Sequence, residues 1–214
     1  MKIALVLIFL SGSTWGMNVE LEPADLPIGY VTRLLINEVA FPGEPLYKSE
    51  EDSKQAMFEI LWVLDNRAHH PPPGYTEWLI ARTSYKNIID VITAPNQVED
   101  FYRGPKGQLL TAWRVIARVD YLTRLANEGP MGTFGRLLNY AQDLSQSYFE
   151  NRQKGTDLFA SLSHVYSIPV TGRGYAWMTE NSPFQPDGNF LAIPRNIKGA
   201  AGGNQFYTLR KVIP

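Results

Sequence analysis

Glu38 stands where a helix would be expected to carry an apolar residue, and it is the sharpest chemical signal in the chain. Val31, Leu34 and Leu35 fall at i, i+3 and i+4 of a helical stripe, and the next turn lands on position 38. A glutamate so placed points toward the core. Burial disfavours its charged form, so its pKa should rise, and a carboxyl still protonated near neutral pH is what a general acid requires. The same spacing also allows a structural role, with Glu38 at the stripe edge reaching solvent or held by Arg33 or Arg67. A second carboxylate, Glu44, follows in the next loop.

Other chemistries have less behind them. The histidines are His69, His70 and His164; the first two adjoin each other before a triproline, with no HExxH pattern, so no metal is expected. The mature chain has no Gly-x-Ser-x-Gly elbow for a serine nucleophile. Gly199-Ala200-Ala201-Gly202-Gly203 lacks a Walker lysine and a strand-to-helix context, and reads as a flexible turn. No cofactor is expected. Carboxylate chemistry remains. Glycoside cleavage usually needs one carboxylic acid for the leaving oxygen and a second carboxylate as nucleophile or activator of water. One acid suffices when the substrate supplies its own nucleophile.

The elements that would position these groups follow from periodicity. A first helix is expected from near Gly29 to about Ala40, ended by Pro42-Gly43. Ser49-Glu50-Glu51-Asp52 resembles a capping box, and Met57, Ile60, Leu61 and Leu64 form the stripe of a buried second helix. The tract His69-His70-Pro71-Pro72-Pro73-Gly74 stops it. Residues 76–91 hold a short helix or turns, and residues 96–107 read as an irregular loop. A long helix is expected over 108–127 with Leu109, Trp113, Ile116 and Ala117 on one face. Another spans 134–150 with Leu137, Ala141, Leu144 and Tyr148 in register, and a short helical piece covers 157–166. Beyond residue 168, three short apolar runs at 175–179, 190–193 and 205–209 read as small strands or extended loops. The expected class is α+β, mainly helical, with a small C-terminal β element.

The 214 residues suit one sizeable domain. A net charge of -1 with 19% charged residues provides no basic field, which disfavours nucleic acid as a partner. The aromatic content of 12%, rich in Tyr and Trp, suits sugar-binding surfaces as well as an ordinary core. Met1-Lys2, the apolar run 3–10 and the small-residue stretch 11–16 read as a secretory signal peptide over residues 1–16. Residues 17–30 then form an extended lead-in. The apolar run falls short of the roughly 20 residues a membrane span needs, so the expectation is an exported, soluble chain without a transmembrane segment. With no cysteine, the fold must hold without disulfides.

An ordered set of motifs resembles the SleB-type cell-wall hydrolases. Asn37-Glu38-Val39-Ala40-Phe41-Pro42-Gly43-Glu44-Pro45 is similar to that family's Glu-Ala-Arg-Gly-Glu-Pro signature with an insertion before the Gly-Glu. The stretch from Gln55 to Asn66-Arg67 resembles its following helix, and Asn96-Gln97 with Phe101 resembles a stretched Gln-Phe block. Ala176 to Asn181 and Gly203-Asn204-Gln205-Phe206-Tyr207 resemble its two C-terminal blocks, so the likeness spans residues 33–207. Three departures stand out: the loop after Val39 is not an Arg-Gly turn, Val98-Glu99-Asp100 interrupts the third block, and Gln205 replaces a histidine. The resemblance implies a lysozyme-like catalytic domain over residues 31–214, with a helical insertion around 108–166. It also implies peptidoglycan glycan strands as the substrate. Such enzymes act as lytic transglycosylases, and the matching acid/base is Glu38. Glu44, Asn66, Gln97, Trp177, Asn181 and Asn204 become candidates for binding substrate or orienting the acid. The alternatives are a hydrolytic muramidase in which Glu44 or Asp65 helps activate water, and a non-catalytic glycan-binding envelope protein.

Overall fold

The computed structural model describes residues 18–72, 74–84, 87–129, 131–160, 170–179, 189–193 and 200–210. The expected signal peptide, Asn181, His164 and most of the expected helical piece at 157–166 lie outside them; Asp157 to Ala160 close a turn, in which the Ala160 N–H reaches the Asp157 carbonyl.

The first helix, α1 (Pro27–Glu38), starts on a proline, whose fixed φ and missing N–H suit the first turn. It starts two residues before Gly29 and stops at Glu38, since Val39 is already extended (φ -120°, ψ 154°). Gly29 is required because the lead-in crosses over it: a Cβ there would sit 2.1 Å from the Pro23 carbonyl oxygen. The second helix, α2 (Glu50–His69), is capped by the Ser49 hydroxyl accepting from the Asp52 N–H, with three acidic residues in its first turn. It is the axis of the fold. Met57 and the whole run from Ile60 to Leu64 are fully buried, more than one stripe, because neighbours enclose this stretch on several sides.

Residues 76–91 resolve into α3 (Glu77–Ala81) and the start of α4 (Ile88–Thr93), capped by Thr76 and Asn87. The expected loop at 96–107 contains a strand. β1 (Phe101–Arg103) pairs antiparallel with β2 (Leu109–Thr111) around Gly104 and Gly107, the latter at φ 80°. Three-residue strands are too short to show a period, so the turn glycines read as loop.

The helix expected over 108–127 is accordingly shorter, α5 (Trp113–Asn127), and its buried face is a different one. Val115, Val119, Leu122 and Ala126 pack inward, whereas Trp113 is 78% and Ile116 46% exposed. Both rows satisfy helical spacing, but the buried one continues from Val115 to Ala126 and the expected one ends at Ala117. α6 (Thr133–Gln153) buries Leu137, Ala141, Leu144 and Tyr148 as its stripe requires. These two helices supply much of the main hydrophobic cluster and pack on α1 and α2, so the segment read as an insertion is part of the core.

The C-terminal β element is an antiparallel sheet in the order β3 (Val170–Thr179), β6 (Asn204–Arg210), β4 (Phe190–Ala192), with β5 (Ala200–Ala201) also pairing β6. Trp177 faces Phe206 and Thr179 faces Asn204 across the β3–β6 ladder, which slips register around Gly174. The class is α+β and mainly helical. Among the described residues no helix is long and apolar enough to cross a membrane.

Candidate functional site

Glu38 is the last helical residue of α1, so its side chain leaves the core just where the helix ends. It sits half-buried between two adjoining cavities of about 650 and 520 Å³ that share Asn37, Glu38, Arg118 and Thr179 in their walls. The larger half is completed by residues 97–100, Arg114 and the end of β3. The smaller is completed by Glu44 to Leu46 and the turn from Gly202 to Asn204. Together they form one cleft with the carboxyl near its middle.

Two donors hold that carboxyl. Trp177 Nε1 donates to Oε2 at 2.9 Å and Asn37 Nδ2 to Oε1 at 3.3 Å. Burial pushes the Glu38 pKa up from its ordinary 4.5; the two hydrogen bonds and the Arg118 cation oppose this, and the nearby Glu99 charge adds to it. The upward direction wins. The guanidinium partners that spacing allowed for Glu38 are engaged elsewhere: Arg33 donates to the Glu22 and Gly29 carbonyls. Arg67 donates to the Tyr175 carbonyl at 2.6 Å and to Gln97 Oε1 at 2.8 Å.

Arg67 nevertheless matters to the site. Its guanidinium lies 5.7 Å from the Trp177 ring centroid, and burial pulls its pKa down to about 10. It therefore braces both Gln97, on the wall of the larger half, and the indole that holds Glu38.

Glu44 does not reach into the cleft as a free base. Its Oε2 accepts the Phe41 N–H at 2.7 Å, and both oxygens accept from Arg118 Nη2 at 2.8 Å. Asn204, 3% exposed, donates to the Glu38 main-chain carbonyl at 2.6 Å and so positions the backbone beneath the acid. Its place depends on the preceding turn. Gly202 and Gly203 have φ of 57° and 81°, and added Cβ atoms would lie 2.6 Å from Ala56 Cβ and 2.7 Å from Leu46 Cβ. That turn is packed against α2 and the Glu44 loop, which corrects its reading as flexible.

Asn66 is not in the cleft. Fully buried, it donates to the Gly174 carbonyl at 3.0 Å and accepts from Arg173 at 2.9 Å, tying α2 to β3 where the ladder slips. Asp65 is buried beside it, accepting from the Tyr148 hydroxyl at 2.9 Å with His69 and His70 each 3.7 Å away. Neither cleft half includes Asp65, so it is in no position to activate water there.

Asn37, Thr179, Arg114, Arg118 and Glu99 line the cleft without having been singled out from sequence. Arg114 and Arg118 lie four apart on α5, a spacing that puts two cations on one face beside the buried Val115 and Val119. Arg114 in turn bonds Asp100 and, at 3.2 Å, Glu99. Among the described residues no group of three or more His, Asp or Glu side chains is placed to hold a metal ion. Compared with known proteins, the chain has no significant match to a family model, a curated protein or a solved structure.

Proposed function

We propose that this chain is an exported enzyme that cleaves the glycan strands of peptidoglycan as a lytic transglycosylase, with Glu38 as its acid and base. The observation that carries this reading is the Glu38 carboxyl, shared by both halves of the cleft, pushed toward its protonated form by burial and flanked by space on both sides. A glycan strand laid along the cleft has its scissile oxygen beside that carboxyl and sugar units in either half. The proton belongs on Oε1, whose one contact is the longer at 3.3 Å, while the indole N–H keeps Oε2 as an acceptor.

In the reaction Oε1–H protonates the glycosidic oxygen as the bond to the muramic C1 breaks, leaving Glu38 as a carboxylate. That carboxylate then takes the proton of the muramic 6-hydroxyl as O6 bonds C1 and closes the anhydro ring. Glu38 ends as it began, and no water is consumed. The engagement of Glu44 by Arg118 and the Phe41 N–H supports this route over hydrolysis through Glu44. The burial of Glu38, which pushes its pKa up, makes an ordinary exposed carboxyl, the mark of a glycan-binding protein without chemistry, a poorer description of it.

A hydrolytic reading keeps one specific support, since Glu99 lines the same cleft half and its charge is felt at Glu38. Mass spectrometry of fragments released from purified sacculi separates the readings. Anhydromuramyl ends from the wild type, absent with Glu38→Gln, are the expected result. Reducing ends lost with Glu99→Gln would move the assignment to a muramidase, and no fragments from a folded wild type would refute cleavage.

A further inference from the structure

Arg118 reaches the cleft from α5, in the segment the family resemblance leaves outside the compact core. Its Nη1 donates to the Ile36 carbonyl and its Nη2 to the Val39 carbonyl at 3.0 Å, on either side of Glu38 in sequence. Nε and Nη2 also donate to Glu44, whose Oε2 holds the Phe41 N–H. The guanidinium carbon lies 5.5 Å from the Phe41 ring centroid. One planar cation thus ties the end of α1, the extended residues after it and the Glu44 loop into a single unit.

We propose that Arg118 is the positioning residue of the site: clamped by Glu44, it fixes the C-terminal end of α1 and thereby the place and charge balance of the Glu38 carboxyl. Three physical effects converge. The last carbonyls of a helix lack intrahelical partners and carry partial negative charge, and a cation on them satisfies both needs. That negative end lies directly at Glu38, where it would disfavour the carboxylate formed once the proton has gone to the leaving oxygen. Arg118 offsets it, and the charged groups sharing the cleft are Glu44, Glu99, Asp100 and Arg114. Finally, a fork with several fixed donors holds carbonyls and a carboxylate together, which a lysine ammonium does not reproduce. Glu44 is the counter-anion that orients the fork.

The inference rests on the proposed chemistry only for its kinetic part, so the test has two readouts. Carbon-13 NMR of the Glu38 carboxyl follows its titration in the wild type, Arg118→Met and Arg118→Lys, with circular dichroism confirming each fold. Initial rates on sacculi are measured alongside. Arg118→Met is expected to move the Glu38 titration upward and cut kcat roughly 100-fold with KM changed far less, the size of loss that follows a small misplacement of a reacting group. Arg118→Lys keeps a positive charge, so the titration returns toward wild type while kcat stays roughly 10-fold low for want of the fork. A Glu38 titration unmoved in folded Arg118→Met overturns the inference, as does full kcat in Arg118→Lys. If the wild type releases no fragments but the titration moves as stated, the cleavage reading falls and the placement of Arg118 stands.

Discussion

Replacing Trp177 with phenylalanine removes one donor from the cleft wall while keeping a ring beneath Arg67. The indole N–H meets Glu38 Oε2 at 2.9 Å, a hydrogen bond to a group that is charged in one of its two states. Bonds of that kind contribute about 1.5–3 kcal/mol, and this one favours the carboxylate. Its loss therefore adds to burial, and the Glu38 pKa should move further up. The same bond fixes the rotation of the carboxyl, leaving Oε1 for the substrate. Losing positioning energy of that size corresponds to a rate loss of about 10- to 100-fold. The assay is a carboxyl NMR titration paired with initial rates on sacculi, at a pH where wild type and variant are both protonated. A titration that stays in place or moves down, in a protein with native circular dichroism, would refute the reasoning that Trp177 acts through Glu38.

Three further outcomes follow from the structure. Cleavage should fall as pH rises through the raised Glu38 pKa, because the acid form is lost, and a descending limb already centred at 4.5 would contradict the burial argument. A raised carboxyl pKa also gives a stability contribution that is complete below the unfolded value and lost as pH rises through the folded one, so Glu38→Gln should gain on the wild type in unfolding midpoint at higher pH. Asn66→Ala should cost about 2–4 kcal/mol in urea unfolding, since it empties a fully buried site and strips the Gly174 carbonyl of its donor. Its KM, measured on folded protein at low temperature, should stay near wild type; a KM change without a stability loss would return Asn66 to the cleft.

Long elements with one strong stripe were legible from composition and spacing. α2 and α6 run nearly where their Leu, Ile and Tyr spacing and their flanking breakers put them, although α2 buries more than the one stripe that spacing marks. α5 was harder. Two apolar rows run along it, and only contact with α1 and α6 selects the Val115 row over the Trp113 row. The hairpin of β1 and β2 escaped notice because strands of three residues depend on their partner and on two turn glycines.

The same division runs through the site. Sequence by itself singled out Glu38 for attention, since an acidic residue on an otherwise apolar row is a local fact about one helix. It also placed Glu44, Gln97, Trp177 and Asn204 as neighbours to consider. What each of them does was decided by tertiary structure. Glu44 became a partner of Arg118, Asn66 a strut between α2 and β3, and Trp177 a donor to the Glu38 carboxyl. Arg118, eighty positions from Glu38, was invisible until α5 packed beside α1. Periodicity records which face of an element is buried; it does not record which faces meet, and hydrogen bonds between distant segments exist only once they do.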